Sequence, residues 1–369
     1  MAGGSKEGDA MTNALRTGIL LWLSGASAWG GSWKPRRAAE YLDAREKDWF
    51  AWPAAKSAGG TCVSCHTGMT YLLARPALRK LLGEAQPTPY ETGLLAGLKE
   101  RTEKNQRMFG SARFAKEPLA SQGDGVQSIL TALLLARSES SPTMSPVTEQ
   151  AFSRMWAAQK REGHTKGAWA WFDFNDDPYE TQDSAYYGAT LAALAVGAAP
   201  TSYREQPDVK ARVVDLAGYL QSGEDTQPLH NRLMLLWVSA ATPDAWPRSR
   251  CGKLVDEALG KQQADGGWTM ESLGPWKDHP EAAISSGSNN YATAVVALAL
   301  EQAGWKASHP SLSKALRWLR VHQDPAGYWE SISMNKRYDA GSMPDLFMRD
   351  GATAFAALAL ANADLRNRD

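Results

Sequence analysis

Two kinds of stretch alternate along this chain. In the first kind, alanine and leucine dominate and apolar residues run nearly all round the helix, as in Thr293-Ala294-Val295-Val296-Ala297-Leu298-Ala299-Leu300. Such stretches occur at 65–82, 124–137, 183–198, 227–241, 289–303 and 350–363. A helix that is apolar on every side has to be buried on every side. The second kind is amphipathic, with polar residues on one face, and covers 35–48, 94–108, 146–159, 207–221, 250–262 and 310–323. Four of these open on Pro35, Pro146, Pro207 and Pro310, at a position where the missing N–H costs nothing. Strict alternation of buried and amphipathic helices predicts an inner ring inside an outer ring. The expected fold is therefore all-α, a single (α/α)6 toroid of six inner and six outer helices. β-branched alternation is scarce and no Asn-Gly turn appears, so almost no strand is expected.

The joints between helix pairs carry a second pattern. Gln262-Gln263-Ala264-Asp265-Gly266-Gly267-Trp268 follows the fifth outer stretch. Trp318-Leu319 and then Gln323-Asp324-Pro325-Ala326-Gly327-Tyr328-Trp329 follow the sixth. A weaker copy, Trp156, Gln159 and Gly167-Ala168-Trp169, follows the third. On these residues the chain resembles the terpenoid cyclase and protein prenyltransferase superfamily, squalene–hopene cyclases above all, over residues 35–363. The resemblance implies QW repeats, in which a glutamine caps a helix end and a buried tryptophan ties neighbouring pairs together. It therefore places Trp268 and Trp329 between pairs, with Gln263 and Gln323 at adjacent helix ends. It does not by itself imply cyclisation, because fold does not assign chemistry. The Asp-x-Asp-Asp acid of the cyclases has no copy here. Asp173-Phe174-Asn175-Asp176-Asp177 has a different spacing and reads as a solvated turn. The Asp-x-Cys zinc pair of the prenyltransferases does not occur either.

Near the amino end, Arg16, the apolar run Gly18–Leu23 and Ala26-Ser27-Ala28 follow the order of an export signal. Residues 1–28 thus read as a leader and 29–369 as the toroid domain, which places the protein in the periplasm or outside the cell. Met11 fits the start of that signal better than Met1, because Glu7 and Asp9 are acidic. No stretch approaches the roughly 20 apolar residues of a membrane span. Lysine plus arginine total 40 and aspartate plus glutamate total 40, so no field draws in nucleic acid.

The sharpest local signal is Gly60-Thr61-Cys62-Val63-Ser64-Cys65-His66. Two cysteines three apart can form thioethers to the two haem vinyl groups, and the next histidine then reaches the iron. Haem c on Cys62, Cys65 and His66 is the leading expectation, and export agrees with it. A short disulfide and a zinc site using His66 stay open. Cys251 is left as a buried thiol, and no sixth iron ligand is evident, since Met69 lies only one turn after His66.

With Cys65 and His66 at the start of the first inner helix, the motif is expected at the end of the barrel where all inner helices begin. Asp124, Asp183, Tyr186, His230, Tyr291 and Asp350 fall at the same end and are the candidate catalytic residues, lining one cavity with the motif on its rim. The plainer account of Asp124, Asp183 and Asp350 is that they are N-caps. The functional expectation is a redox role, with an apolar small molecule, such as the isoprenoids the resemblance implies, in the central cavity and a redox partner outside it. The rival is a non-haem toroid enzyme or binding protein of the terpene cyclase or polysaccharide lyase type, with the cysteine motif structural or metal-binding.

Overall fold

The computed structural model describes residues 33–57, 60–107, 109, 112–282 and 284–368. The expected leader at 1–28, and Met108 at the expected end of the second outer helix, lie outside the described residues.

The fold is the expected all-α toroid. The outer helices are α1 (Pro35–Ala51), α3 (Pro89–Glu103), α5 (Pro146–Ala158), α8 (Pro207–Gly223), α10 (Cys251–Gly260) and α12 (Pro310–Val321). The inner helices are α2 (Gly68–Leu82), α4 (Leu119–Ser138), α6 (Ser184–Ala198), α9 (Leu229–Ala241), α11 (Asn290–Gln302) and α13 (Phe347–Arg366). A short α7 (Thr201–Arg204) precedes α8. The inner helices pack in chain order, and α13 lies against α2, which closes the ring. Nearly every residue of α11 from Tyr291 to Glu301 is buried, as an all-round apolar helix requires. The amphipathic α12 buries only Leu312, Ala315, Leu316, Trp318 and Leu319. Strand among the described residues is a two-residue hairpin, β1 (Lys56–Ser57) with β2 (Gly60–Thr61), plus isolated bridges.

The joints explain how the ring holds together. Trp169, Trp268 and Trp329 are fully buried, and each indole N–H donates to a carbonyl of its own outer helix, at Met155, Ala258 and Leu319. The glutamines reach the following outer helix. Gln262 Nε2 donates to Ser311 O (2.9 Å) and Gln159 Nε2 to Arg212 O (3.1 Å). Gln323 Nε2 donates to Lys34 O (3.1 Å) while its Oε1 accepts from Lys34 N (2.6 Å), so the last joint grips the first helix. The expected Gln263 is therefore corrected to Gln262. Gln263 is exposed and bonds only locally, to Lys261 O. Gly327 has φ +105°, and a Cβ there would stand 2.2 Å from Arg37 O, so neither the turn nor the approach to α1 admits a side chain.

Several helix starts differ from the expectation, and the differences matter at the mouth. α4 begins at Leu119 and α13 at Phe347, so Asp124 and Asp350 lie inside their helices rather than capping them. Asp183 occupies the N-cap position of α6 without a side-chain cap bond. The capping account is thus wrong for Asp124 and Asp350 and holds for Asp183 in position alone, whereas Asn289 does cap α11 by accepting from Ala292 N (3.1 Å). Cys65 and His66 form a turn before α2 instead of starting it.

Candidate functional site

The motif is built from short-range chemistry upward. The hairpin hands the chain into Cys62, whose N–H donates to Ala55 O (2.8 Å) and whose carbonyl accepts from the Trp49 indole (2.7 Å). Ser64 Oγ accepts from Thr67 N (2.8 Å) and Gly68 N (3.3 Å), which turns the chain into α2. Thr67 Oγ1 then donates to Asp350 on α13 (2.9 Å). Loop, first inner helix and last inner helix are thereby locked around Cys62–His66. All three cysteines are free. Burial pushes the Cys62 thiol up to about 12 and the Cys65 thiol well above the ordinary range, so both sulfurs are neutral near pH 7.

His66 stacks on Phe347, with centroids 4.9 Å apart and planes 9° apart, and meets the edge of Tyr179 at 5.3 Å. Its Nε2 stands 3.7 Å from a Glu180 oxygen, while its Nδ1 is buried without a partner. Cys62, Cys65 and His66 line one side of a cleft of about 730 Å³. Aromatic residues form much of the rest, including Trp49, Trp52, Phe114, Phe172, Phe174 and Phe347, with Lys56 and Arg113 also in the wall. Among the described residues, no group of three or more His, Cys, Asp or Glu side chains is arranged to hold a metal ion.

The six candidate catalytic residues do not share that cleft, nor do they share one cavity. Asp124, Asp183 and Tyr186 line a separate polar cavity of about 810 Å³ with Lys160, His164 and Asp173. Asp124 is ion-paired with Arg107, and Tyr186 donates to Leu220 O (2.7 Å). His230 and Tyr291 lie at the ring centre, where the space between Tyr187, His230, Tyr291 and Phe355 is about 20 Å³, room for little more than one water. Asp350 is buried in an ion pair, accepting from Arg45 Nε (2.8 Å) and Nη2 (3.2 Å) and from Tyr41 (3.0 Å). Burial raises its carboxyl, and those partners work against the rise. Its place is a strut between α1, α2 and α13.

The reason for this separation is the loop that carries Asp173–Asp177, expected from the sequence to be only a solvated turn. Between α5 and α6 the chain crosses the mouth of the ring. Asp177 N donates to Asn335 Oδ1 (2.8 Å), Asn335 Nδ2 returns a bond to Asp177 O (2.8 Å), and Asp177 Oδ2 accepts from Lys277 N (3.1 Å). Asn175, with φ +62°, turns the loop, and a bridge between Asp176 and Glu180 shapes its end. The Asp173–Asp177 segment is therefore a pinned crossing rather than a free solvated turn. It drives Tyr179, 2% exposed, into the ring centre, where its Oη lies 2.5 Å from Tyr291 Oη. Tyr291 Oη in turn lies 2.8 Å from His230 Nε2, and His230 Nδ1 lies 2.9 Å from Asn231 Oδ1. Burial lowers the His230 pKa to about 4, so the ring is neutral near pH 7. Tyr179 is the member of this cluster missing from the sequence reading. Joint length gives no signal for it, because the α10–α11 and α12–α13 joints are at least as long as α5–α6.

No family model matches the chain, and no curated protein is significantly similar to it. Among solved structures it is similar to an unsaturated glucuronyl hydrolase, an α/α toroid described with the saccharide dGlcA-Glc-Rha-Glc. The TM-score is 0.54 at 13% identity, covering 88% of this chain and 96% of that one. At that identity the likeness concerns the fold. The class is thus an α/α toroid protein, and no helix among the described residues is long and apolar enough to cross a membrane.

Proposed function

We propose that the protein is an exported redox toroid that carries haem c covalently on Cys62 and Cys65, with His66 as the axial donor. The observation that carries this reading is that the two free thiols and the imidazole open together onto an aromatic cleft of about 730 Å³, within the size range of small-molecule and cofactor sites. The residues fit the group: His66 has a buried ring nitrogen without a partner among the described residues, and much of the wall is aromatic, with Lys56, Arg113 and Glu180 also in it. When bound, haem supplies one-electron iron chemistry. The chain's own part is to add each thiol S–H across one vinyl group and to hold the imidazole flat against Phe347. Attachment outside the cytoplasm accords with the leader read at 1–28. The joints built on Gln159, Gln262 and Gln323 support kinship with the terpenoid cyclase toroids, but the filled ring centre argues against turnover of an isoprenoid on the ring axis. Electron exchange with a partner at the cleft mouth is the activity favoured here.

The polar cavity holding Asp124, Asp183 and Tyr186 supports the rival class of a non-haem toroid enzyme. Expression in a periplasm with haem-attachment machinery, followed by denaturing mass spectrometry, separates the two. The expected product is red, one haem heavier than the bare chain, and loses the adduct in a Cys62→Ala/Cys65→Ala variant. A colourless chain of unmodified mass under those conditions ends the haem reading and returns the protein to the rival class.

A further inference from the structure

We propose that the aromatic cleft selects a flat aromatic macrocycle bearing two carboxylates, and discriminates against neutral isoprenoids, through Lys56 and Arg113. This rests on the site assigned above and deepens it by naming the charge of the ligand. Lys56 and Arg113 are both exposed and both line the cleft, so they stand at its opening. The Arg113 guanidinium lies over the rings of Phe114 (5.7 Å) and Phe174 (5.1 Å), which holds it at the wall. Among the described residues neither cation has a carboxylate partner. Other cations near the ring mouth are paired: Arg45 with Asp350, Arg232 with Glu257, and Arg349 with Glu330. The carboxylate in the cleft wall is Glu180, and it faces His66.

The physical consequence follows from solvation. A ligand that fills the cleft covers part of Lys56 and Arg113, and covering a cation costs free energy unless an anion replaces the lost water. A neutral isoprenoid brings no anion. A planar ring system with two carboxylates matches the aromatic walls by stacking and the two cations by charge-assisted hydrogen bonds, Arg113 with bidentate capacity. Charge recognition of this kind needs no thioether, so it operates on the chain before any covalent attachment.

The test therefore uses the chain made without attachment machinery, carrying Cys62→Ala and Cys65→Ala so that binding stays reversible. The probes are metal-free protoporphyrin IX, its dimethyl ester and farnesol, read by quenching of Trp49 and Trp52 fluorescence for the porphyrins and by competition for farnesol. The diacid is expected to bind about tenfold more tightly than the ester, the combined effect of two partly exposed charge pairs. Adding Lys56→Gln and Arg113→Gln should remove that preference and leave ester binding unchanged, with circular dichroism verifying the fold. Equal affinity for diacid and ester, displacement by farnesol, or a preference that survives the double substitution overturns the inference. A chain that attaches haem but shows no diacid preference keeps the haem reading and loses this one. A diacid preference in a chain that never attaches haem does the reverse.

Discussion

The centre of the ring and the cleft beside Cys62–His66 are about one aromatic ring apart, yet they are built on opposite terms. At the centre, Tyr179, Tyr187, His230 and Tyr291 are at most 2% exposed, the polar atoms of Tyr179, Tyr291 and His230 form one hydrogen-bonded chain, and about 20 Å³ remains. In the cleft the aromatic residues line about 730 Å³, and among the described residues Lys56 and Arg113 have no carboxylate partner and His66 Nδ1 has no hydrogen-bond partner. The same residue types serve both regions, so composition does not decide which is a site. Satisfaction of polar groups and packing decide it. A centre that is hydrogen-bonded and tightly packed stabilises the fold, while a cleft with empty volume and an unpartnered imidazole nitrogen is suited to a ligand.

The hardest test of that contrast is truncation. Tyr179→Ala should cost ~3–5 kcal/mol, as for other large aromatics removed from a packed core. Trp52→Ala, half-buried on the cleft wall, should cost about 1 kcal/mol. Urea unfolding of both variants reads the difference. Similar losses would mean that the cleft is as tightly packed as the centre, and the contrast would fail.

A smaller effect is expected from pH. The His230 pKa is lowered from 6.5 to about 4 by burial, so between those values the unfolded chain binds a proton that the folded chain refuses. The contribution of His230 to stability is complete above about pH 6.5 and is lost as pH falls through about 4, by roughly 3 kcal/mol at most. Stability measured from pH 7 to 4 should decline less steeply in His230→Gln than in the unmodified protein. Parallel curves would show that His230 is solvated, and that the centre is open.

Much of this architecture is legible in the sequence, and the parts that are not have physical causes. All-round apolar helices announce burial, and Trp268 and Trp329 sit where the joint pattern puts them, because both signals are local. The start of α3 was legible too: Thr88 and Glu91 form a capping box with Pro89 at the first turn, a pattern that places the helix five residues ahead of the expected 94. The choice between Gln262 and Gln263 was not legible, since it depends on which side chain faces α12. Nor was the fate of Asp124, Asp183 and Asp350. Three aspartates near helix starts look alike in sequence, and their partners Arg107 and Arg45 come from other parts of the chain. The division of the mouth by Tyr179 rests on contacts with Asn335, Lys277 and Tyr291, all more than 90 residues away in the numbering. No periodicity reports such contacts.

The finest prediction concerns the direction of the central hydrogen bonds. Asn231 Nδ2 donates to Asp183 O (3.2 Å) and to Gln227 Oε1 (3.1 Å), which leaves its Oδ1 as an acceptor for His230. Neutral His230 must therefore carry its proton on Nδ1, and its bare Nε2 accepts from the Tyr291 hydroxyl. Tyr291 has then spent its proton, so Tyr179 donates to Tyr291. Tyr291→Phe keeps the ring and deletes the middle of this chain, stranding one acceptor on His230 and one donor on Tyr179. Stranded buried partners cost ~1–2 kcal/mol here, and nitrogen NMR should show the Nδ1-protonated tautomer in the unmodified protein. Porphyrin binding to the cleft should be unchanged in Tyr291→Phe, because none of the deleted bonds belongs to its wall. If the substitution instead weakened that binding as much as loss of Lys56 and Arg113, centre and cleft would be one coupled site rather than two.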